Sequence, residues 1–532
     1  MYRAEQTPVI ITAQTIHSLA DAVAGNALLV ADGWVRAVGD VAQLRTLEPT
    51  ARLTDFGTAT LTPGLTDSHI HITEWAVARQ EVDLSTARSP QEATQRVAQL
   101  GRPRASGWLL GRGWNPHHWG GDYPQRDTLD VVVPDRPAAF QSHDMHALWV
   151  NTRALELSGI GADTPDPAGG RIVRDAKGVP TGTLLENAAL MVIRHIPTPG
   201  DAEVSAAVFD AQRQLHSFGI TGIHSLPGFH LIAPQPLRIL EILREQDRLR
   251  LRVLQHMALD QLDAARQLGL RSGLGDEWLR LGGIKMFLDG ALGSRTAWLR
   301  APYENSTDCG VQVLPESDFR TAVQCAAAAG LASTVHAIGD AAVALAFEVL
   351  TADAAQSGTL PNRIEHVQCC PPDHFESAAR AGIICSMQPC HLMTDWPAAD
   401  RHWGPQRARN TYAFRSLGQR GATLALGSDA PVEPCDPRLG FYAATERKDL
   451  AHLPTGGWFP QERIAMSDVL RGYTVGPARA AGASSWQGRL APGYAADFVA
   501  WECDPLSTVG TDLLSLRVLA TFVAGALVYQ DG

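Results

Sequence analysis

The sequence predicts an α/β protein. It combines a TIM (β/α)8 barrel, a composite β-sandwich made from both chain ends, and an inserted α+β subdomain. Three observations carry this reading. Eight short apolar runs follow one another, most of them succeeded by a helix-like pattern, which calls for a parallel barrel. Both termini are strand-like and punctuated by turns. One stretch in between is too long for a single barrel crossover.

Residues 1–62 form the first part of the sandwich. VIITA and ALLVADGWVRAVG read as strands, and Asp32–Gly33 is a hairpin turn. Residues 485–532 supply the rest through RLAPGYAADFVAWE and ATFVAGALVYQ. Neither end has enough apolar surface to stand alone, and pairing them solves that. The barrel takes 63–75 and 201–484. Its strands are the run ending in HIH, GITGIHSL, LRLRVLQHM, LGGIKMFL, LASTVHAIG, RIEHVQ, GIICSMQP and ATLALGSD. SDFRTAVQCAAAAG and DAAVALAFEVLTADAA are helices between them. The insertion, 76–200, holds the aromatic segment GWLLGRGWNPHHWGGDYP, a helix-like HALWVNTRALELSG, and a hairpin from GGRIVRD to GTLLE.

A chain of 532 residues exceeds one ordinary core, so more than one domain is expected. Its 45% apolar and 19% charged residues describe a soluble globular enzyme. A net charge of −11 without a long Lys/Arg run argues against nucleic-acid or anionic-membrane partners, which need a basic face. The N-terminus lacks a cationic segment followed by a long apolar core, so no signal peptide is expected. No apolar stretch reaches the ~20 residues of a membrane span. The eight cysteines all lie at or beyond Cys309 and form no CxxC pattern, which fits a reducing cytoplasm. Cys369–Cys370 reads as a redox pair or, more simply, as two packed core thiols.

Barrel strand ends gather at one rim, where residues distant in sequence meet. His69 and His71 face the same way on one strand, and two imidazoles on one face can share a cation. Alone, H-x-H fits a hydrogen-bonded core pair equally well. Lys285 lies opposite Ile284, Met286 and Leu288 in GGIKMFL, and a buried lysine is costly unless paired or neutral. One reading pairs it with Asp289 or another acid. The other leaves it neutral, to react with carbon dioxide and bridge two metals as a carbamate. His336 and His366 lie 30 positions apart (366 − 336), one strand-plus-helix unit, and each taken singly reads as a core hydrogen bonder. Asp429 in GSDAP reads as a metal ligand and proton carrier, or as a turn cap. Taken together, the six suggest a two-metal hydrolase whose bridging water is activated by coordination.

These segments resemble the amidohydrolase superfamily. PGLTDSHIH is similar to its opening metal motif and LGSDAPV to its closing aspartate motif. DMHALWVN, GGIKMFLDGALGSRTA, VHAIGD, RIEHVQ, SMQPCH and GSDAPVEPCDP are similar to the amidohydrolase-3, or YtcJ-like, branch, which includes N-substituted formamide deformylases. The likeness runs from about Pro63 to Asp504. It implies the barrel, the composite sandwich, two divalent ions (zinc fits the ligands) and a carboxylated Lys285. It implies hydrolysis of a linear amide-type C–N bond in a small molecule, with Asp429 as the catalytic acid–base. A homodimer is compatible with it.

Further residues are substrate-binding candidates, each with a plainer role beside it. Asp144 and His146 either reach the substrate or cap the next helix. His224, Gln388 and His391 line the pocket or bond locally. Arg295 holds a polar substrate group or a structural ion pair. Trp114, with Trp75, Trp119, Trp396, Trp403 and Trp458, binds an apolar substituent or packs the insertion. His117–His118 read as a solvated loop. Two other functions compete with the binuclear hydrolase. A mononuclear deaminase or cyclic-amide hydrolase on the same barrel is disfavoured by Lys285. A non-catalytic binding protein is disfavoured by the complete ligand set.

Overall fold

The computed structural model describes residues 7–21, 25–100, 107–114, 119, 123–142, 147–167, 170–227, 236–293, 295–353 and 360–532. The chain forms two compact units. The larger comprises Met1–Ile72, Gln212–Pro227 and Leu240–Gly532, and the smaller Thr73–Ala211 and Gly228–Ile239.

The larger unit contains the expected TIM barrel. Its strands are β1 (Leu65–Ile70), β2 (Ile220–Ser225), β3 (Arg252–Ala258), β4 (Leu279–Phe287), β5 (Ser333–Ala337), β6 (Arg363–His366), β7 (Ile384–Met387) and β8 (Thr423–Leu426). Each pairs in parallel with its sequence neighbour, so the sheet runs from β1 to β8 without a change of order. Closure comes just past the ends of β1 and β8. Asp429 N–H donates to the His69 carbonyl at 2.7 Å, and His71 N–H donates to the Ala430 carbonyl at 2.9 Å. Ile70 and Ala430 form a parallel bridge there.

The strands are buried on both faces, as a parallel sheet covered by helices requires. Helices Glu316–Ala328 and Asp340–Asp353 lie where the sequence places them. Two glycines make room for polar side chains inside the barrel. A Cβ on Gly282 of β4 would lie 2.7 Å from His256 Nδ1, and one on Gly427 would lie 2.7 Å from Asp67 Oδ1.

The two chain ends share a sheet. Thr60–Pro63 pairs antiparallel with Phe498–Trp501, which continues through Val518–Val523 to Ala526–Gln530. A second sheet orders Trp34–Gly39, Ala27–Ala31, Val9–Thr12 and Arg52–Asp55. Leu28, Val30 and Val35 of this sheet and Leu61, Phe498 and Phe522 of the other belong to one buried core. Asp32 and Gly33 both have positive φ, 54° and 85°, as a two-residue hairpin turn of this kind demands.

The smaller unit is built on a six-stranded sheet. Gly170–Arg174 and Pro180–Glu186 form the expected antiparallel hairpin. The sequence predicts a helix through HALWVN, and the structure corrects it. Ala147–Val150 is a strand, paired on both sides with Ala138–Ser142 and Pro180–Glu186. The helix starts only at Thr152, because the Asn151 side chain accepts from Ala154 N–H and caps it. No helix among the described residues is long and apolar enough to cross a membrane.

A buried ion pair ties the barrel to the sheet shared by the chain ends. The Arg252 guanidinium grips the Asp497 carboxylate through two bonds, Nη2 reaching Oδ1 at 3.0 Å, and Nη1 donates to the Glu277 carbonyl at 3.0 Å. The rings of Trp278 and Trp486 flank the guanidinium at 5.1 and 5.3 Å. Arg252→Leu strands a buried carboxylate, so it should destabilise by about 3–5 kcal/mol. Thermal melting is expected to show that loss, and an Arg252→Leu/Asp497→Leu pair should recover much of it.

Candidate metal centre

The end of β1 carries the first donors. Alternation points Asp67 and His69 into the barrel, and His71 follows with the same parity. Asp429 arrives from β8 through the closure just described. Its Oδ1 lies 3.2 Å from His69 Nε2 and 3.1 Å from His71 Nε2. His366 ends β6, and its ring centroid sits 5.0 Å from that of His69 and 4.6 Å from that of His336. Donor atoms of His69, His366 and Asp429 all fall within 4.8 Å of one another.

His366 and Asp429 both have left-handed backbone, φ 72° and 64°. Such residues cluster where function over-determines the chain, because the conformation costs about 1–3 kcal/mol. Here the turn occurs at the donor itself and swings its side chain over the mouth of the barrel.

Hydrogen bonds select the ring nitrogens. His69 Nδ1 donates to Glu365 Oε2 at 2.6 Å, which leaves Nε2 toward Asp429. His336 Nε2 donates to the Gly290 carbonyl at 3.1 Å, which leaves Nδ1 as the donor atom. Burial, helped by the Lys285 charge, pushes His336 down to about 3. Burial and neighbouring His336 hold His366 well below the usual imidazole range. Both rings are therefore neutral, as metal ligation requires. His69 differs: burial opposes its protonation, but Asp429 and Glu365 outweigh that and raise its pKa. Burial works against ionisation of Asp429 too, yet His69 and the bonds from His69 and His71 hold it well below the carboxylate range.

Lys285 projects from β4 into the same cluster. Its Nζ lies 4.8 Å from the Phe287 ring, and among the described residues it has no hydrogen-bond partner. Burial drives its pKa down to about 8, against the pull of Glu365 and Asp429. Asp289 is not its partner. That carboxylate accepts instead from the backbone N–H groups of Trp298, Ile338 and Gly339, at 2.9, 3.0 and 2.7 Å. Neutral imidazoles, one carboxylate and one unpaired amine around a shared space form a donor set that fits divalent ions of the zinc type.

The second-tier residues divide. His391 stands beside the cluster, its Nε2 3.6 Å from Asp429 Oδ2. His224 lies inside the barrel, where Nδ1 accepts from Arg363 Nη1 at 2.8 Å. Gln388 is buried and donates to the Ser386 carbonyl at 3.4 Å. Arg295 is exposed in the loop after β4, with φ 56°. Trp114 is fully buried in the core of the smaller unit, stacked on Trp119 at 5.7 Å, and its Nε1 donates to the Phe140 carbonyl. Trp75 is buried with Arg79 over its ring, and Trp119 donates to the Ala87 carbonyl. Trp403 is buried, while Trp458 and Trp396 donate to Asp400 and Asp449. Packing, the plainer of the two roles, thus accounts for the geometry of these rings. Asp144, His146, His117 and His118 lie outside the described residues.

Sequence reasoning passed over three buried charges: Asp67, Arg363 and Glu365. Asp67 accepts from Ser428 Oγ at 2.5 Å, Ser428 N–H at 3.0 Å and His69 N–H at 3.1 Å. Burial raises its pKa to about 6 in spite of those bonds. Parity held the signal: Asp67 shares a face with His69, and Arg363 shares one with Glu365.

A barrel with this cluster at its rim is the architecture of metal-dependent hydrolases. The chain belongs to the amidohydrolase family, whose model matches residues 52–529. It is 31% identical over 516 residues to YtcJ of Bacillus subtilis (strain 168), covering 95% of this chain and 96% of that one. It is 28% identical over 525 residues to the N-substituted formamide deformylase of Arthrobacter pascens, covering 95% of each. An uncharacterized metal-dependent hydrolase from Pyrococcus horikoshii OT3 superposes with a TM-score of 0.80 at 26% identity, covering 94% of this chain and 99% of that one.

The depressed Lys285 pKa has a signed consequence for the metal-free protein. A lysine at about 8 when folded and 10.5 when unfolded releases its proton more readily in the native state. The unfolded chain then binds more protons between those values, and stability rises with pH across that window. Lys285→Met removes the penalty. In metal-free, carbon-dioxide-free buffer it should melt above the wild type at pH 7, by about 3 kcal/mol, with the gap closing toward pH 10. A gap independent of pH would show that the amine carries no such cost.

Proposed function

We propose that this amidohydrolase cleaves a linear amide-type C–N bond of a small molecule. Two divalent ions, zinc being one that imidazole donors suit, would be held by His69, His71, carboxylated Lys285, His336, His366 and Asp429. The observation that carries this reading is the buried, unpartnered Lys285 amine among neutral imidazoles. An ammonium there would repel any cation at ~3–4 Å, whereas a carbamate attracts it. The carbamate forms when the neutral amine adds to the carbon of carbon dioxide and its nitrogen gives up one proton.

Ions held by these residues would supply an acidified water, its pKa lowered from ~16 to about 7, and polarisation of the scissile carbonyl. Asp429, held ionised by His69 and His71, accepts the proton of the attacking water as the C–O bond forms. It returns that proton to the leaving nitrogen as the C–N bond breaks. His391, whose Nε2 lies 3.6 Å from Asp429 Oδ2, would contact the substrate or the departing amine.

The likeness to an N-substituted formamide deformylase supports a formamide bearing an apolar N-substituent as the substrate within this class. The eight cysteines are free, which supports a reducing cytoplasm as its setting. The convergence of His69, His366 and Asp429 alone favours one alternative, a mononuclear deaminase or cyclic-amide hydrolase.

Elemental analysis separates the two readings: two ions per fully active chain are expected, and one supports the mononuclear enzyme. Lys285→Ala should lose metal and activity together, with a short carboxylic acid in the buffer restoring part of each. Lys285→Arg cannot form the carbamate and should stay inactive. Near-normal activity and metal content in Lys285→Arg would make the lysine structural.

A further inference from the structure

We propose that Arg363 and Glu365 form a positioning pair that fixes the ring of His69, with Glu365 acting directly and Arg363 anchoring Glu365 to three other strands. Glu365 is fully buried, and its Oε2 accepts from His69 Nδ1 at 2.6 Å. That bond settles which nitrogen of His69 is left for a metal. A carboxylate bonded to a ligating imidazole also raises the basicity of the ligand.

Burial and the bond to His69 hold Glu365 from one side, and Arg363 adds a second restraint from the other. The guanidinium grips both carboxylate oxygens, with Nη2 reaching Oε2 at 3.0 Å. It also donates from Nη2 to the Ser68 carbonyl of β1 at 2.7 Å and to Ser386 Oγ of β7 at 2.7 Å. Nη1 donates to His224 Nδ1 of β2 at 2.8 Å. The fork thus joins β6 to three other strands, and one of these bonds ends on the residue preceding His69. Arg363 and Glu365 are also charge-balanced, so burying them together leaves no net charge beneath the cluster. Replacing the pair with neutral residues of similar size is therefore tolerable for folding.

The inference rests on the reading of His69 as a metal ligand, and the test separates the two. Two double variants carry the comparison, Arg363→Met/Glu365→Gln and Arg363→Met/Glu365→Leu. Both remove both charges, and only the first keeps an acceptor for His69 Nδ1–H. Zinc affinity is measured for each by chelator competition, alongside the thermal midpoint of the metal-free protein. The Leu variant should bind zinc about 10- to 100-fold more weakly than the Gln variant at comparable midpoints. Equal affinities would overturn the proposal. Should either double variant melt too low, Glu365→Gln against Glu365→Leu in the native background provides the same contrast, and equal affinities there overturn it too. His69→Ala is the control. If it leaves zinc affinity intact, the ligand reading itself fails. If it weakens binding while the paired variants agree, only the positioning role is lost.

Discussion

The site depends first on how the barrel closes. Asp429 and His69 are 360 positions apart in sequence (429 − 69), and the bond from one's backbone to the other's, at 2.7 Å, fixes them side by side. Asp67 reinforces the seam by accepting from Ser428 on the far side and from His69 on its own. Closure of the barrel and assembly of the cluster are therefore one event. A chain that failed to join β1 to the segment after β8 would lose both the barrel and three of its donors.

Beneath that seam the interior is unusually polar for a core. His224, His256, Thr334, Arg363, Glu365 and Ser386 are all buried. Their bonds run around the barrel: His256 Nδ1 accepts from Gly283 N–H at 3.0 Å and meets Thr334 Oγ1 at 2.9 Å, while Arg363 reaches His224 and Ser386. Burial holds His224 and His256 far below the ordinary imidazole range, so the network carries charge only at Arg363 and Glu365. Such a core stabilises less than a hydrocarbon one of equal volume, but its directional bonds fix side chains that dispersion alone would leave free to rotate.

Much of the fold was legible because short apolar runs recur along the chain, most of them followed by a helix-like pattern. The eight barrel strands, the Asp32–Gly33 turn and the pairing of the chain ends all follow from patterns spanning only a few residues each. The helix expected across HALWVN failed because a capping asparagine and two strand neighbours decide that boundary, and both are tertiary facts. The motif histidines, Lys285 and Asp429 stood out as polar residues in apolar runs. Arg363 and Glu365 stood out no less, but a buried ion pair and a surface one look alike until the opposite wall of the barrel is in place. For Trp114 the sequence left substrate contact and packing of the insertion both open, and its ring lies in the core of the smaller unit.

The left-handed backbone at His366 and Asp429 bears on how such a protein decays. At most positions, losing a side chain costs the fold something, which slows drift. At these two, a change to glycine relieves the conformation while deleting a member of the cluster. A copy released from selection for catalysis would gain robustness by shedding these donors early. A lineage that turned this barrel to another use would be expected to keep His69 and His71, locked in the seam, long after those two had gone.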